Sequence, residues 1–176
     1  MKGAQISSNL RFLQFVFDYV CICMIDRPSR DRLATALRRY VSGRITNDDL
    51  DDIEVDWRDS GADAIKQRAW GLYDDTYQHH AVGSHYITKP SREEIGRWIL
   101  FLHSDNEYTW PLFNFRTIVN WPLDLLSGGW WERPKEKRFA EYKSAGDYSV
   151  WPFSSRPDYE AALERPKYFA GLVPKQ

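Results

Sequence analysis

Cysteine is scarce in this sequence: 176 residues hold two, Cys21 and Cys23. They lie two apart, so on a helix they face different directions, and no second pair or histidine cluster follows at zinc-ligand spacing. That excludes a disulfide framework and a zinc knuckle, and it fits a reducing, cytoplasmic setting. Nucleotide signatures are missing too: there is neither a G-x-G-x-x-G nor a Walker lysine, and the ten glycines are scattered singly or in pairs. No G-x-S-x-G or H-E-x-x-H occurs, and the cysteines sit in an apolar run that disfavours a reactive thiolate. An excess of one charge is also lacking. The formal net charge of −1 argues against a general polyanion binder, and nucleic acid is not expected as a partner.

Long hydrophobic runs are equally absent. The longest, Phe12–Ile25, is interrupted by Gln14 and Asp18 and falls short of the ~20 residues that span a bilayer. No small-residue cleavage site follows it, so it is not a secretory signal. Residues 1–25 admit three readings. They form a helix docked on the core with Asp18 outward, or a membrane-surface anchor through residues 12–25 helped by Arg27, Arg30 and Arg32, or an extension ahead of a start at Met24. The docked helix is the simplest. Residues 26–176 then read as a single globular domain, a size able to bury roughly two-thirds of its unfolded surface.

What the chain does have is aromatic side chains, 15% of it with eight tryptophans. A core rich in Trp and Tyr must also hydrogen-bond, because each ring carries an N–H or O–H. The organising stretch is Lys89–Pro111. Ser91 and Glu94 form a capping box, Pro90 blocks entry of a helix from the left, and Ile95, Trp98, Ile99 and Leu102 recur at helical spacing. With Leu100 and Phe101 on the other sides, residues 92–103 form a buried central helix. Before it, Leu33, Ala36, Leu37, Tyr40 and Val41 mark an amphipathic helix ended by Gly43. Thr46 with Asp49 caps a short helix, and Ser60 with Asp63 caps a longer one reaching to near His80.

The charges run in blocks. Arg27, Arg30, Arg32, Arg38, Arg39 and Arg44 lie in a basic arm, followed at once by an acidic arm from Asp48 to Asp63. Such neighbours face each other or solvent rather than a polyanion.

The second half differs. Leu112–Leu126 reads as two short helical pieces broken at Trp121–Pro122, Ser127–Gly129 as a turn, and Arg133–Ser144 as a charged helix turning Phe139 and Tyr142 inward. Tyr148–Phe153 has the composition of a short strand or extended segment, and Ser155 starts a last helix with Pro157 in its first turn. The expected fold is therefore mainly α, α+β at most. Its helical first half packs against an irregular, Trp-Pro-rich second half carrying one or two short strands.

Three constellations could carry function. Asp75 and His79 sit i, i+4 on the expected helix, with His80 and His85 beyond its end, a set that could hold a divalent metal or pair a base with its orienter. His103, leaving the central helix beside Asp105 and Glu107, could transfer protons. Trp110, Trp121, Trp130, Trp131 and Trp151 either seal the helical half or line a groove for a ligand. The bland readings, surface histidines near a helix end, a satisfied junction and a structural clamp, are favoured in each case. No cofactor is called for outside the metal reading. The expectation is a non-enzymatic binding protein, of the adaptor or partner-neutralising type, whose partner is another protein. The alternative is a metal- or His-dependent hydrolase using Asp75, His79, His80 and His85.

Overall fold

The computed structural model describes residues 24–111 and 132–166. Residues 1–25 up to Cys23, the stretch Leu112–Trp131 with Trp121, Trp130 and Trp131, and the tail from Lys167 lie outside the described residues, as do the expectations attached to them. Among the described residues there are six α-helices: α1 (Arg27–Val41), α2 (Asn47–Asp51), α3 (Ser60–Ala69), α4 (Lys89–Leu102), α5 (Glu132–Lys143) and α6 (Arg156–Glu164). Helix α1 packs chiefly on α4, α2 and α3 flank α1, and α6 rests on α4. Among the described residues there is no strand, only an isolated antiparallel bridge between Thr46 and His80. The fold is mainly α. No helix among these residues is long and apolar enough to cross a membrane.

Helix α1 follows its pattern. Leu33, Ala36, Leu37 and Tyr40 are buried, Asp26 caps the start by accepting from the Ser29 amide, and the chain leaves through Gly43 at φ +68°. A Cβ there would stand 2.8 Å from the Val82 side chain, so both the backbone and the close approach require glycine. The Thr46–Asp49 capping box of α2 forms as expected.

Three expectations are corrected. Helix α4 begins one turn early: Thr88 is its cap and Pro90 sits inside its first turn, where the missing N–H costs nothing. The supposed box partner Glu94 instead meets Arg68 at 3.5 Å. Helix α3 is capped by Asp59 rather than Ser60, and it stops at Ala69 before a 3-10 turn at Trp70–Leu72 instead of reaching His80. Gly71 is a poor helix former, and the Asp74 carboxylate accepts from both the amide and hydroxyl of Thr76, a local turn that competes with the helix. Finally, Tyr148–Phe153 is not a strand but a 3-10 turn, Tyr148–Val150, followed by a cis Trp151–Pro152 peptide.

One knot ties the helix ends together. Arg30 and Asp59, each 1% exposed, pair through Nε to Oδ2 at 2.7 Å and Nη2 to Oδ1 at 3.0 Å. Asp59 also accepts from the amides of Asp26, Gly61 and Ala62, while Arg30 donates to the carbonyls of Ser104 and Asn106. The guanidinium lies 5.0 Å over the Phe101 ring. The start of α1, the start of α3 and the exit of α4 thus share one fully hydrogen-bonded charge pair, which also joins the basic and acidic arms.

The second half seals α4. Trp151 meets Trp98 edge-on at 5.8 Å, and Phe153 meets Phe101 at 5.3 Å. Trp110 donates to the carbonyls of Pro152 and Phe153, and the Tyr108 and Tyr142 hydroxyls bond at 3.0 Å.

Candidate binding site at the α3–α4 loop

Between the 3-10 turn after α3 and the cap of α4 the chain runs from Tyr73 to Thr88 without an α-helix. Connections this long are uncommon in compact domains, and this stretch carries one 3-10 turn of its own, Gly83–His85. This one is held in place. Asn47, the buried first residue of α2, donates its amide N–H to the His79 carbonyl at 3.0 Å. Its side chain accepts from the His79 amide at 2.7 Å and donates to the carbonyls of Asp74 and Tyr77, each at 3.2 Å. Trp70 and Tyr73 both donate to the Asp51 carboxylate at the far end of α2, and Ala81 and Ile87 are buried anchors.

The pinning folds His79 and His85 together, their ring centroids 4.0 Å apart and inclined at 33°. His79 is 8% exposed. Its Nδ1 lies 3.0 Å from the Tyr77 carbonyl, which can only accept. Nδ1 therefore carries the proton, and Nε2 of the neutral ring is a lone pair. That nitrogen has no hydrogen-bond partner among the described residues. His85 Nε2 bonds the Tyr77 hydroxyl at 2.8 Å. Beside them opens a pocket of about 340 Å³ whose walls include Tyr73, Asp74, His79, Ser84, His85 and Tyr86. Hydrogen bonds from Thr76 hold the Asp74 carboxyl below the usual carboxylate range. The Arg92 guanidinium stacks 4.4 Å over the Tyr86 ring.

Of the four residues anticipated as a metal set, the structure brings together His79 and His85. Asp75 and His80 are exposed, and the helix that was to align Asp75 with His79 does not extend that far. No three His, Cys, Asp or Glu side chains among the described residues are placed to hold a metal ion. Comparison with protein families, with curated proteins and with solved structures finds no significant match. The functional reading therefore rests on this geometry.

The other anticipated sites resolve differently. His103 is buried at the end of α4, with Nε2 accepting from Arg38 at 2.8 Å and Nδ1 3.7 Å from Asp31. Asp105 faces outward and meets Arg27 at 3.7 Å, and Glu107 is exposed. The carboxylate beside His103 is thus Asp31, from α1, rather than Asp105 or Glu107. Burial and the Arg38 charge lower the His103 pKa, and Asp31 offsets them in part. Trp110 and Trp151 are buried with their N–H groups bonded inward, leaving no ring face open to a ligand. Sequence reasoning passed over Asn47, Tyr86 and Ser84. Only the Asn directly after a capping Thr hinted at the first, since Asn inside a first turn has a side chain free to bond elsewhere.

Proposed function

We infer that this protein is a binding protein that presents the Tyr73–Thr88 loop to another protein. One observation carries the reading. Among the described residues five large apolar side chains are exposed, and three of them, Tyr77 at 53%, Val82 at 56% and Tyr86 at 55%, lie on this one pinned loop. Exposed tyrosines on a preorganised loop are the material of interface hot spots, because they bring contact area at little entropic cost. Placing a photo-crosslinking amino acid at Tyr86 and, as control, at Arg58 tests it in the native host. A discrete adduct at position 86 that disappears in Tyr77→Ala supports the reading. Identical patterns at both positions remove it.

The paired imidazoles favour a second reading, hydrolysis with His79 as base. Turnover of p-nitrophenyl acetate that is lost in His79→Gln would support it, and equal slow rates in both proteins would dismiss it.

A further inference from the structure

We propose that the pocket beside His79 is a receptor for a primary ammonium group, supplied by a lysine side chain of a partner or by a free amine. The inference shares its loop with the binding reading above but does not need a protein partner to be true.

The pocket's chemistry decides the sign of the ligand. Its walls carry no Lys and no Arg. They carry Asp74, whose Oδ1 accepts from Thr76, and they adjoin Asp51, which is bonded to the Tyr73 hydroxyl. His79 offers a lone pair rather than an N–H, because its proton is committed to the Tyr77 carbonyl. It does so from a side chain more than nine-tenths buried, on a nitrogen with no partner among the described residues. A buried acceptor without a donor is costly, and a ligand that supplies the donor recovers that cost. One buried, unpartnered ring nitrogen and one exposed, ionised carboxylate together ask for a cationic N–H donor. The cap and first turn of α4 at Thr88 and Ser91 and the neighbouring Arg92 bring positive potential to the opposite wall, which is why phosphate is the competing ligand in the test. The alkyl stem that carries an ammonium also has a surface to lie on, since Leu72, Tyr73 and Ile87 line the same pocket. The Tyr86 face is already occupied by Arg92, so a flat guanidinium finds its stacking partner taken.

Entry has a latch. His79 Nε2 is closed to solvent, with the His85 ring packed against its own. An amine reaching it displaces His85 from its 2.8 Å bond to the Tyr77 hydroxyl. Removing that hydroxyl makes displacement easier.

The test is an NMR titration of the histidine ring protons with 1,4-diaminobutane and with Nα-acetyl-lysine methylamide, and separately with inorganic phosphate, at pH 7.5. Saturable shifts of His79 and His85 with either amine are expected, weakened about tenfold in Asp74→Asn, as the loss of a charge-assisted bond implies. Tyr77→Phe should bind more tightly than the parent. A response to the lysine derivative but not the diamine assigns the site to a protein partner, and the reverse assigns it to a free amine. Shifts caused by phosphate instead of amine, amine shifts unchanged in Asp74→Asn, or no shifts at all would each overturn the proposal. A silent titration leaves the crosslinking result at Tyr86 untouched, so the two readings fail separately.

Discussion

Replacing Asp59 by Asn probes the knot at the helix ends with the smallest change of shape. The carboxamide oxygen still accepts from the Gly61 and Ala62 amides, so the cap of α3, worth ~1 kcal/mol, survives. What disappears is the negative charge facing Arg30, which is 1% exposed and bonds Asp59 through both Nε and Nη2, together with the Oδ2 acceptor of the Asp26 amide and Arg30 Nε, where the carboxamide now presents N–H groups. Leaving one member of a buried pair uncompensated costs about 3–5 kcal/mol. Domains of this size hold ~5–15 kcal/mol in all, so Asp59→Asn removes a large share of the stability. With a urea dependence of ~2 kcal/mol per molar, the unfolding midpoint falls by about 2 M. Denaturant melts at 15 °C followed by tryptophan emission measure this. The double variant Arg30→Met, Asp59→Asn should lose no more than either single, because the orphaned charge is gone. A midpoint shift below about 0.5 M in Asp59→Asn, or strictly additive losses in the double, would show that the pair is not the junction described.

Gly61→Ala puts a Cβ 2.7 Å from the Phe101 ring and 3.2 Å from Arg30 Nη2, and overpacking of this kind costs about 1–3 kcal/mol in the same melts. His103 titrates below its usual 6.5, so the unfolded chain takes up a proton before the native one does. Its contribution to stability is therefore present above about pH 6.5 and lost as pH falls from there through the lower folded value. His103→Gln should flatten that part of the stability–pH curve, and an unchanged slope would exclude His103 as its source.

Local chemistry was legible wherever a few neighbouring residues suffice to define an element. The stripe of α1, the Thr46–Asp49 box and the burial of Trp98, Phe101 and Leu102 all follow from spacings within one or two turns. So does the Ser155 cap of α6 with Pro157 in its first turn. Helix boundaries were less legible, because Pro90 is compatible both with stopping a helix and with starting one, and Thr88 decided it. The Tyr148–Phe153 stretch misled because β-branched and aromatic residues suit a strand only when a neighbouring strand exists to pair with. Long-range polar partners were not legible at all. Arg30 and Asp59 stand in charged blocks expected to face each other or solvent, and only tertiary contact singles out this one pair. The histidines were recognised as a group, but their placement depended on where α3 ends, and the tie that folds His79 onto His85 comes from Asn47, far away in sequence.

That tie makes the loop an all-or-none element. A single carboxamide serves the carbonyls of Asp74 and Tyr77 and the amide of His79, so the three points release together rather than one by one. The equilibrium between docked and released loop is then linked to the integrity of α2, on which Asn47 rides. Any occupant of the loop that binds only its docked form shifts that equilibrium by mass action and protects α2 amides from exchange as well as its own footprint. The linkage runs both ways. Thr46→Ala removes the cap of α2 and also the acceptor of the Gln78 side chain in the loop, so it should weaken binding there by lowering the docked population.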